Sequence, residues 1–340
     1  MIVRLFRPAV PAVLLCATFL AGCSADTPDL TKVTHKRTTV PAQTKENSSS
    51  GASESEGTVE VPEGLADPAY APDKLRQIDP CALLDNETLN AFGKPANPSP
   101  AGFSSCSNYM VDDDGEQLSI TVELGLSALL EVDRANTQID GVPAAERELS
   151  NGDACFVTLI VEGGAQPRGI VVQVVYEAGD PCKVGREVTE AVATRVRVDP
   201  PLRPAEAGSL ATVDPCAILE PAAVADALGG QAEVRSTSLN SCTWDYEGVS
   251  LDLFFDVGTD PANRTYADYT PVDLEGVTVY QELNEEVYPS CEVRWIHRPV
   301  GQQAEVVRIE LGNIRNKPDL DTCAKSTDLA RSLLPKLPKA

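Results

Sequence analysis

Asp79-Pro80-Cys81-Ala82-Leu83-Leu84 returns as Asp214-Pro215-Cys216-Ala217-Ile218-Leu219, and the residues downstream of each copy return with it. Each copy carries four cysteines in the same order: Cys81, Cys106, Cys155 and Cys182, then Cys216, Cys242, Cys291 and Cys323. The interval from the second to the third cysteine is the same in both copies, and the others differ by small insertions. A repeat of this length has the size of one domain and is too long for a solenoid unit. The chain therefore reads as two tandem modules.

Asp79 and Asp214 are helix N-caps, each followed by a proline at the first helical position, where the missing N–H costs nothing. A second short helix is expected from Asn86 to Phe92, stopped by Gly93, and from Pro221 to Leu228, stopped by Gly229 and Gly230. Leu118, Ile120, Val122 and Leu124 alternate with polar residues, as do Val249, Leu251, Leu253 and Phe255, the pattern of half-buried strands. Further strands are expected at 154–161, 169–176, 291–297 and 304–311. Each module closes on a helix, one capped by Asp180-Pro181-Cys182 with Val188, Val192 and Val196 on one face, the other carrying Cys323, Leu329, Leu333 and Leu337. Strands gathered between an opening and a closing helix predict an α+β fold, two disulfide-stapled domains that each hold an antiparallel sheet with an N-terminal and a C-terminal helix.

Arg4 and Arg7 precede an apolar run that ends in Leu20-Ala21-Gly22-Cys23. The run is short for a bilayer span and has the layout of a secretory signal. Leu-Ala-Gly-Cys resembles the lipobox of bacterial lipoproteins, which implies cleavage before Cys23 and lipidation of its thiol, with the chain held on the outer face of a membrane. Two acyl chains suffice for stable anchoring. The segment after Cys23 is rich in Ser, Thr, Pro and Glu and nearly free of large apolar residues, so it cannot bury enough surface to offset its ordering entropy. A flexible chain of that length spans about 40 Å r.m.s.. His35 and the Asn47-Ser48-Ser49 sequon fall within it, the histidine as a solvated side chain. The boundaries expected are a signal peptide at 1–22, an anchored disordered stalk at 23–75, the first repeat at 76–198, a linker at 199–212 and the second repeat at 213–340.

The formal charge is −23, and removal of the signal makes it two units more negative. Such acidity argues against nucleic acid as a partner. Eight cysteines remain after Cys16 leaves with the signal and Cys23 takes lipid, an even count that reads as disulfides in an exported chain. Confining each bond to its own repeat leaves 3 × 3, or about nine, connectivities open. The pairing Cys81–Cys106, Cys155–Cys182, Cys216–Cys242 and Cys291–Cys323 is favoured because it ties each helix start to a strand. Bonds closing loops of this length contribute on the order of 3–4 kcal/mol each, which matters where aromatics make up 5% of the chain and cores are modest. No closely paired thiols with histidines suggest zinc, and no Cys-x-x-Cys suggests redox catalysis.

Other candidate sites are weaker. Asp112-Asp113-Asp114-Gly115-Glu116 offers carboxylates to a hard cation, but they are contiguous and reach a glycine where a hairpin must turn, so a solvated turn is favoured. Tyr109 and Trp244 follow a cysteine and are expected to pack on its disulfide rather than line a cleft. His297 is the only histidine in either repeat, which excludes a duplicated nucleophile–histidine site. No metal, cofactor or catalytic residue is expected.

The Asp-Pro-Cys-Ala-Leu-Leu motif, Cys106 to Tyr109, Lys183 to Val196, and their counterparts Asp214 to Leu219, Cys242 to Trp244 and Thr322 to Leu334 resemble the actinobacterial lipoproteins catalogued as domain of unknown function 3558. The resemblance covers nearly everything after the stalk and implies an exported, lipid-anchored, non-catalytic protein. The expected function is a binding or protein-interaction module of the cell envelope whose partner is a small apolar ligand, a cell-wall component or another envelope protein. The alternatives are an envelope hydrolase working through paired carboxylates and a structural spacer. Replacing the acceptor thiol, Cys23→Ser, should abolish incorporation of labelled palmitate in an actinobacterial host and move the protein from the membrane to the soluble fraction. Unchanged partitioning would count against the anchor.

Overall fold

The computed structural model describes residues 58–263 and 269–340. The signal, Cys23, His35, the Asn47 sequon and the stalk as far as residue 57 lie outside the described residues. Among those described, no helix is long and apolar enough to cross a membrane.

The fold is α+β, with two antiparallel sheets. The first repeat contributes β1 (Gly64–Leu65), β2 (Ser99–Ala101), β3 (Ser105–Val111), β4 (Gln117–Ser127), β5 (Thr137–Ile139), β6 (Val142–Glu148), β7 (Ala154–Gly163) and β8 (Arg168–Val175). They run β2-β3-β4-β8-β7-β6-β5, with β1 pairing the end of β7. The second repeat contributes β9 (Glu233–Ser238), β10 (Ser241–Tyr246), β11 (Val249–Gly258), β12 (Thr270–Leu274), β13 (Val277–Asn284), β14 (Ser290–Val300) and β15 (Gln303–Asn313). Their order, β12-β13-β14-β15-β11-β10-β9, is that of the first sheet from β5 to β2. The duplication seen in the cysteines is therefore a duplication of topology.

Helices α1 (Pro72–Leu75), α2 (Pro80–Leu83), α3 (Asn86–Leu89) and α4 (Pro181–Val198) belong to the first repeat, and α5 (Pro215–Ile218), α6 (Pro221–Leu228) and α7 (Thr322–Leu333) to the second. Asp79 and Asp214 accept from the N–H groups of Cys81 and Cys216, each at 2.9 Å, as N-caps do. Val188, Val192 and Val196 on α4 pack into the same core as Ile120, Val122, Val157, Val172 and Val174. Leu329, Leu333 and Leu337 do the same in the second core, where α7 lies over β14 and β15. α3 is a turn shorter than expected, ending at Leu89.

Four disulfides, Cys81–Cys106, Cys155–Cys182, Cys216–Cys242 and Cys291–Cys323, tie α2 to β3, α4 to β7, α5 to β10 and α7 to β14. Their Cα–Cα separations of 5.0 to 5.1 Å fit unstrained bridges.

One expectation needs correction. The disordered stalk does not extend to residue 75. Val59 and Val61 pack on Ala128, Ala135 and Ile160, and Tyr70 and Leu75 are buried in the first core. Leu65 stays exposed, but its strand β1 adds backbone pairing to the end of β7. The linker at 199–212 is itself packed against both repeats. Leu210 and Ala211 are buried in the second core, and Arg203 N donates to Gln77 O at 2.8 Å. The described residues form one compact unit.

That unity rests on a reciprocal exchange. Phe103, three residues before Cys106, lies in the second repeat's core, and Leu239, three residues before Cys242, lies in the first repeat's core. Each carbonyl of the exchanged pair is held by an arginine. Arg76, buried at 6% exposure, donates through Nε to Leu239 O at 2.9 Å and reaches Asp214 at 3.1 Å. Arg203 donates to Phe103 O at 2.7 Å and to Ile78 O at 2.7 Å. Gly125, at φ 66, faces Leu239 so closely that a Cβ there would lie 2.4 Å from the leucine side chain. Leu239→Ala and Phe103→Ala should each cost about 2–5 kcal/mol. Because each residue fills the other repeat's core, chemical denaturation monitored by Trp244 and Trp295 should show Phe103→Ala loosening the second repeat. A loss below about 1 kcal/mol would show the junction is not a core.

Candidate functional site

The residues singled out from the sequence are scattered by the fold. Asp112 caps its own hairpin turn: Oδ1 accepts from Asp114 N at 2.9 Å and Glu116 N at 2.8 Å, and Oδ2 accepts from Tyr176 Oη at 2.6 Å. The Tyr176 hydrogen bond leads the causes that hold its carboxyl below the ordinary range. Trp244 is buried beside Cys242 in the second core, as expected, but Tyr109 is 64% exposed. Counted from the cysteine, Tyr109 sits one residue further along its strand than Trp244, and a shift of one residue turns a side chain to the opposite face. His297 Nε2 donates to Gly208 O at 2.8 Å, so the histidine fastens the inter-repeat segment.

Glu146 lies near the sulfurs of Cys155 and Cys182, a group with the layout of a metal site. Both sulfurs are committed to a disulfide, and the Glu146 carboxylate takes two 2.7 Å bonds from Arg186, so these residues do not fit a metal ion.

The sheet of the second repeat carries an acidic row. Asp252 pairs in register with Glu310, Glu310 with Glu292, and Glu292 with Glu282 across neighbouring strands. Burial pushes the Asp252 and Glu310 carboxyls up, opposed at Asp252 by a Thr243 hydrogen bond and at Glu310 by the Arg308 charge. Glu292 is bound by Arg294 at 2.9 Å and by Arg308 at 3.4 Å. These carboxylates stand side by side on one sheet face, whereas a carboxylate-pair hydrolase holds them across a cleft.

Two concave sites lie where the repeats meet, separated by Gly102 and Phe103, which line both. The larger is a groove of about 1070 Å³ between the start of α2, the β2–β3 turn, the segment from Leu202 to Thr212, and the β14–β15 hairpin. Pro80, Pro100, Phe103, Leu202, Val257 and Val300 give it apolar walls. One side is fixed by Glu305, 1% exposed, which accepts from Ser209 Oγ at 2.7 Å, Leu210 N at 2.8 Å and Arg298 at 2.7 Å. Arg298 also binds Glu206. With its two arginines already engaged, the groove keeps Asp73 and Asp79 at its α1–α2 end, and its net charge is negative.

The smaller cavity, about 280 Å³, lies between β4, the β9–β10 turn and the ends of β11, β14 and β15. It is lined by Glu123, Asn240, Asp256, Arg294 and Arg308. Glu123 has no hydrogen-bond or ion-pair partner among the described residues, and burial pushes its carboxyl up. None of this constellation was legible from composition or motif, because its members come from both repeats.

No protein-family model and no curated protein matches the chain. Among solved structures it is similar to DynU16, a protein of the dynemicin biosynthetic locus, at 13% identity over 80% of this chain and 91% of that one, with a TM-score of 0.15. It is also similar to the di-domain ARO/CYC BexL from the BE-7585A biosynthetic pathway, at 11% identity over 80% and 91%, with a TM-score of 0.13. At these TM-scores neither likeness carries an argument about fold or function.

The raised Glu123 carboxyl gives a pH test. The folded state holds this proton more tightly than the unfolded state, so the group lowers stability as pH rises from its ordinary value of 4.5 through its elevated folded value. Glu123→Gln should therefore raise the urea midpoint near neutral pH and leave it unchanged well below pH 4.5. An equal effect at both pH values would show that burial of the charge is not the cause.

Proposed function

We propose that this chain is a non-catalytic binding lipoprotein of the cell envelope, held on the outer face of the cytoplasmic membrane through Cys23, and that its two repeats are tandem copies of domain of unknown function 3558. The groove between the repeats carries the reading. Its volume of about 1070 Å³ matches a site for one small molecule, which typically occupies roughly 300–1,000 Å³ of mostly apolar space with a few polar groups. Its occupant is an amphipathic molecule with an apolar body against Phe103, Val257 and Val300 and a neutral or cationic end toward Asp73 and Asp79. An anionic end is disfavoured, because Arg203 and Arg298 are spent on internal carbonyls and carboxylates. The lipobox, the Ser/Thr-rich segment and the disulfides support the envelope location, and an export route suits four disulfides.

Nile red, a neutral apolar dye, should bind the full-length protein in detergent below the micelle-forming concentration with a blue shift, and anionic anilinonaphthalene sulfonate should bind more weakly. Ala207→Trp and Gln303→Trp, which place bulk in the groove from the 202–212 segment and from the β14–β15 hairpin, should weaken Nile red binding about tenfold, or about 1.4 kcal/mol. Binding indifferent to both substitutions would remove the groove as the site.

A further inference from the structure

The smaller cavity is lined by both repeats. Ser104 and Asn240 are each two residues before the second cysteine of their repeat. Glu123 and Phe254 each stand one residue past the partner of that cysteine, since Cys106 pairs with Val122 and Cys242 with Leu253. Equivalent positions thus meet across the cavity, but they have diverged. The first repeat supplies the Glu123 carboxylate. The second supplies Asn240 and, on the strands next to Phe254, the guanidinium groups of Arg308 and Arg294.

The polar groups are incompletely used. Asn240 is 7% exposed and its Nδ2 donates to nothing, although a buried amide without an acceptor costs about 1–3 kcal/mol. Arg308 stacks 3.8 Å over the Phe254 ring and makes only long contacts, 3.4 Å each, to Glu292 and Glu310. Glu123 feels burial and no opposing charge. Glu123 and Arg308 therefore line one cavity without pairing with each other, although Arg308 keeps its two long contacts to Glu292 and Glu310. A molecule that carries both charges completes both ends, whereas a lone cation or anion completes only one.

We propose that this cavity binds a small zwitterion of the α-amino acid type, its ammonium on Glu123 and its carboxylate on Asn240 Nδ2 and Arg308. The volume of about 280 Å³ admits a molecule of that size and excludes the larger occupant of the groove. The site does not depend on the groove reading, because its lining is separate except for Gly102 and Phe103.

The test is isothermal titration of the detergent-solubilised full-length protein with the standard L-amino acids one at a time, and with the dipeptide alanylalanine to separate free amino acids from peptide ends. Ethylamine and propionate serve as single-charge probes. At least one zwitterion should bind about tenfold more tightly than either single-charge probe, and Glu123→Gln should reduce its affinity about tenfold. Asn240→Ala should weaken it as well. Circular dichroism and Nile red binding on the same samples distinguish a failed cavity from an unfolded protein or a failed groove. Binding of no zwitterion, affinity matched by ethylamine or propionate alone, or full affinity in Glu123→Gln would each overturn the proposal.

Discussion

The structure depends on the exchange of Phe103 and Leu239. Each is an apolar residue on a turn, the kind of position where a large side chain would ordinarily be exposed. Here each is buried in the opposite core, at 6% and 1% exposure. The exchange makes two homologous sheets into one unit and fixes the β2–β3 and β9–β10 turns against each other. Both concave sites follow from it, since Phe103 forms a wall of each.

Such a junction needs its polar backbone satisfied, because an unpaired buried carbonyl costs free energy comparable to a lost hydrogen bond. Arg76 and Arg203 do this work crosswise. Arg76, from the start of the first repeat, holds Leu239 and the N-cap carboxylate Asp214; Arg203, from the segment before the second repeat, holds Phe103. Charge-assisted bonds of this kind are stronger than neutral ones. The segment from Pro201 to Ala211 is thereby strapped across the junction, with Glu305 and His297 as its further anchors. It is the outer wall of the groove and also a structural tie, so its sequence answers to both demands.

The copies have diverged at the place where they meet. The helix caps, the disulfides and the strand order are shared, and these set the fold. In the smaller cavity, Glu123 and Phe254 occupy equivalent positions, as do Ser104 and Asn240, so a junction that duplication would have left symmetric has become asymmetric. An asymmetric polar cavity between two otherwise similar domains is a plain route by which a duplicated scaffold acquires a site that neither copy holds alone.

The sequence by itself determined the duplication, the helix caps and the long amphipathic strands, and it favoured the cysteine pairing that the structure holds. These are local or periodic features, and their physics acts within a few residues or through an alternation that is visible in the chain. Short strands such as Val142–Glu148 and Ser241–Tyr246 were not legible, since their hydrophobic pattern is brief and their pairing is set by neighbours. Residues 58–75 read as stalk because composition averages over a window, whereas Tyr70 and Leu75 are single side chains with single pockets. Only the tertiary structure decided that the repeats share their cores, and that Glu123, Asn240 and Arg308 line one cavity. Those relations join residues more than a hundred positions apart, and no local propensity or spacing encodes which side chain will cross a junction.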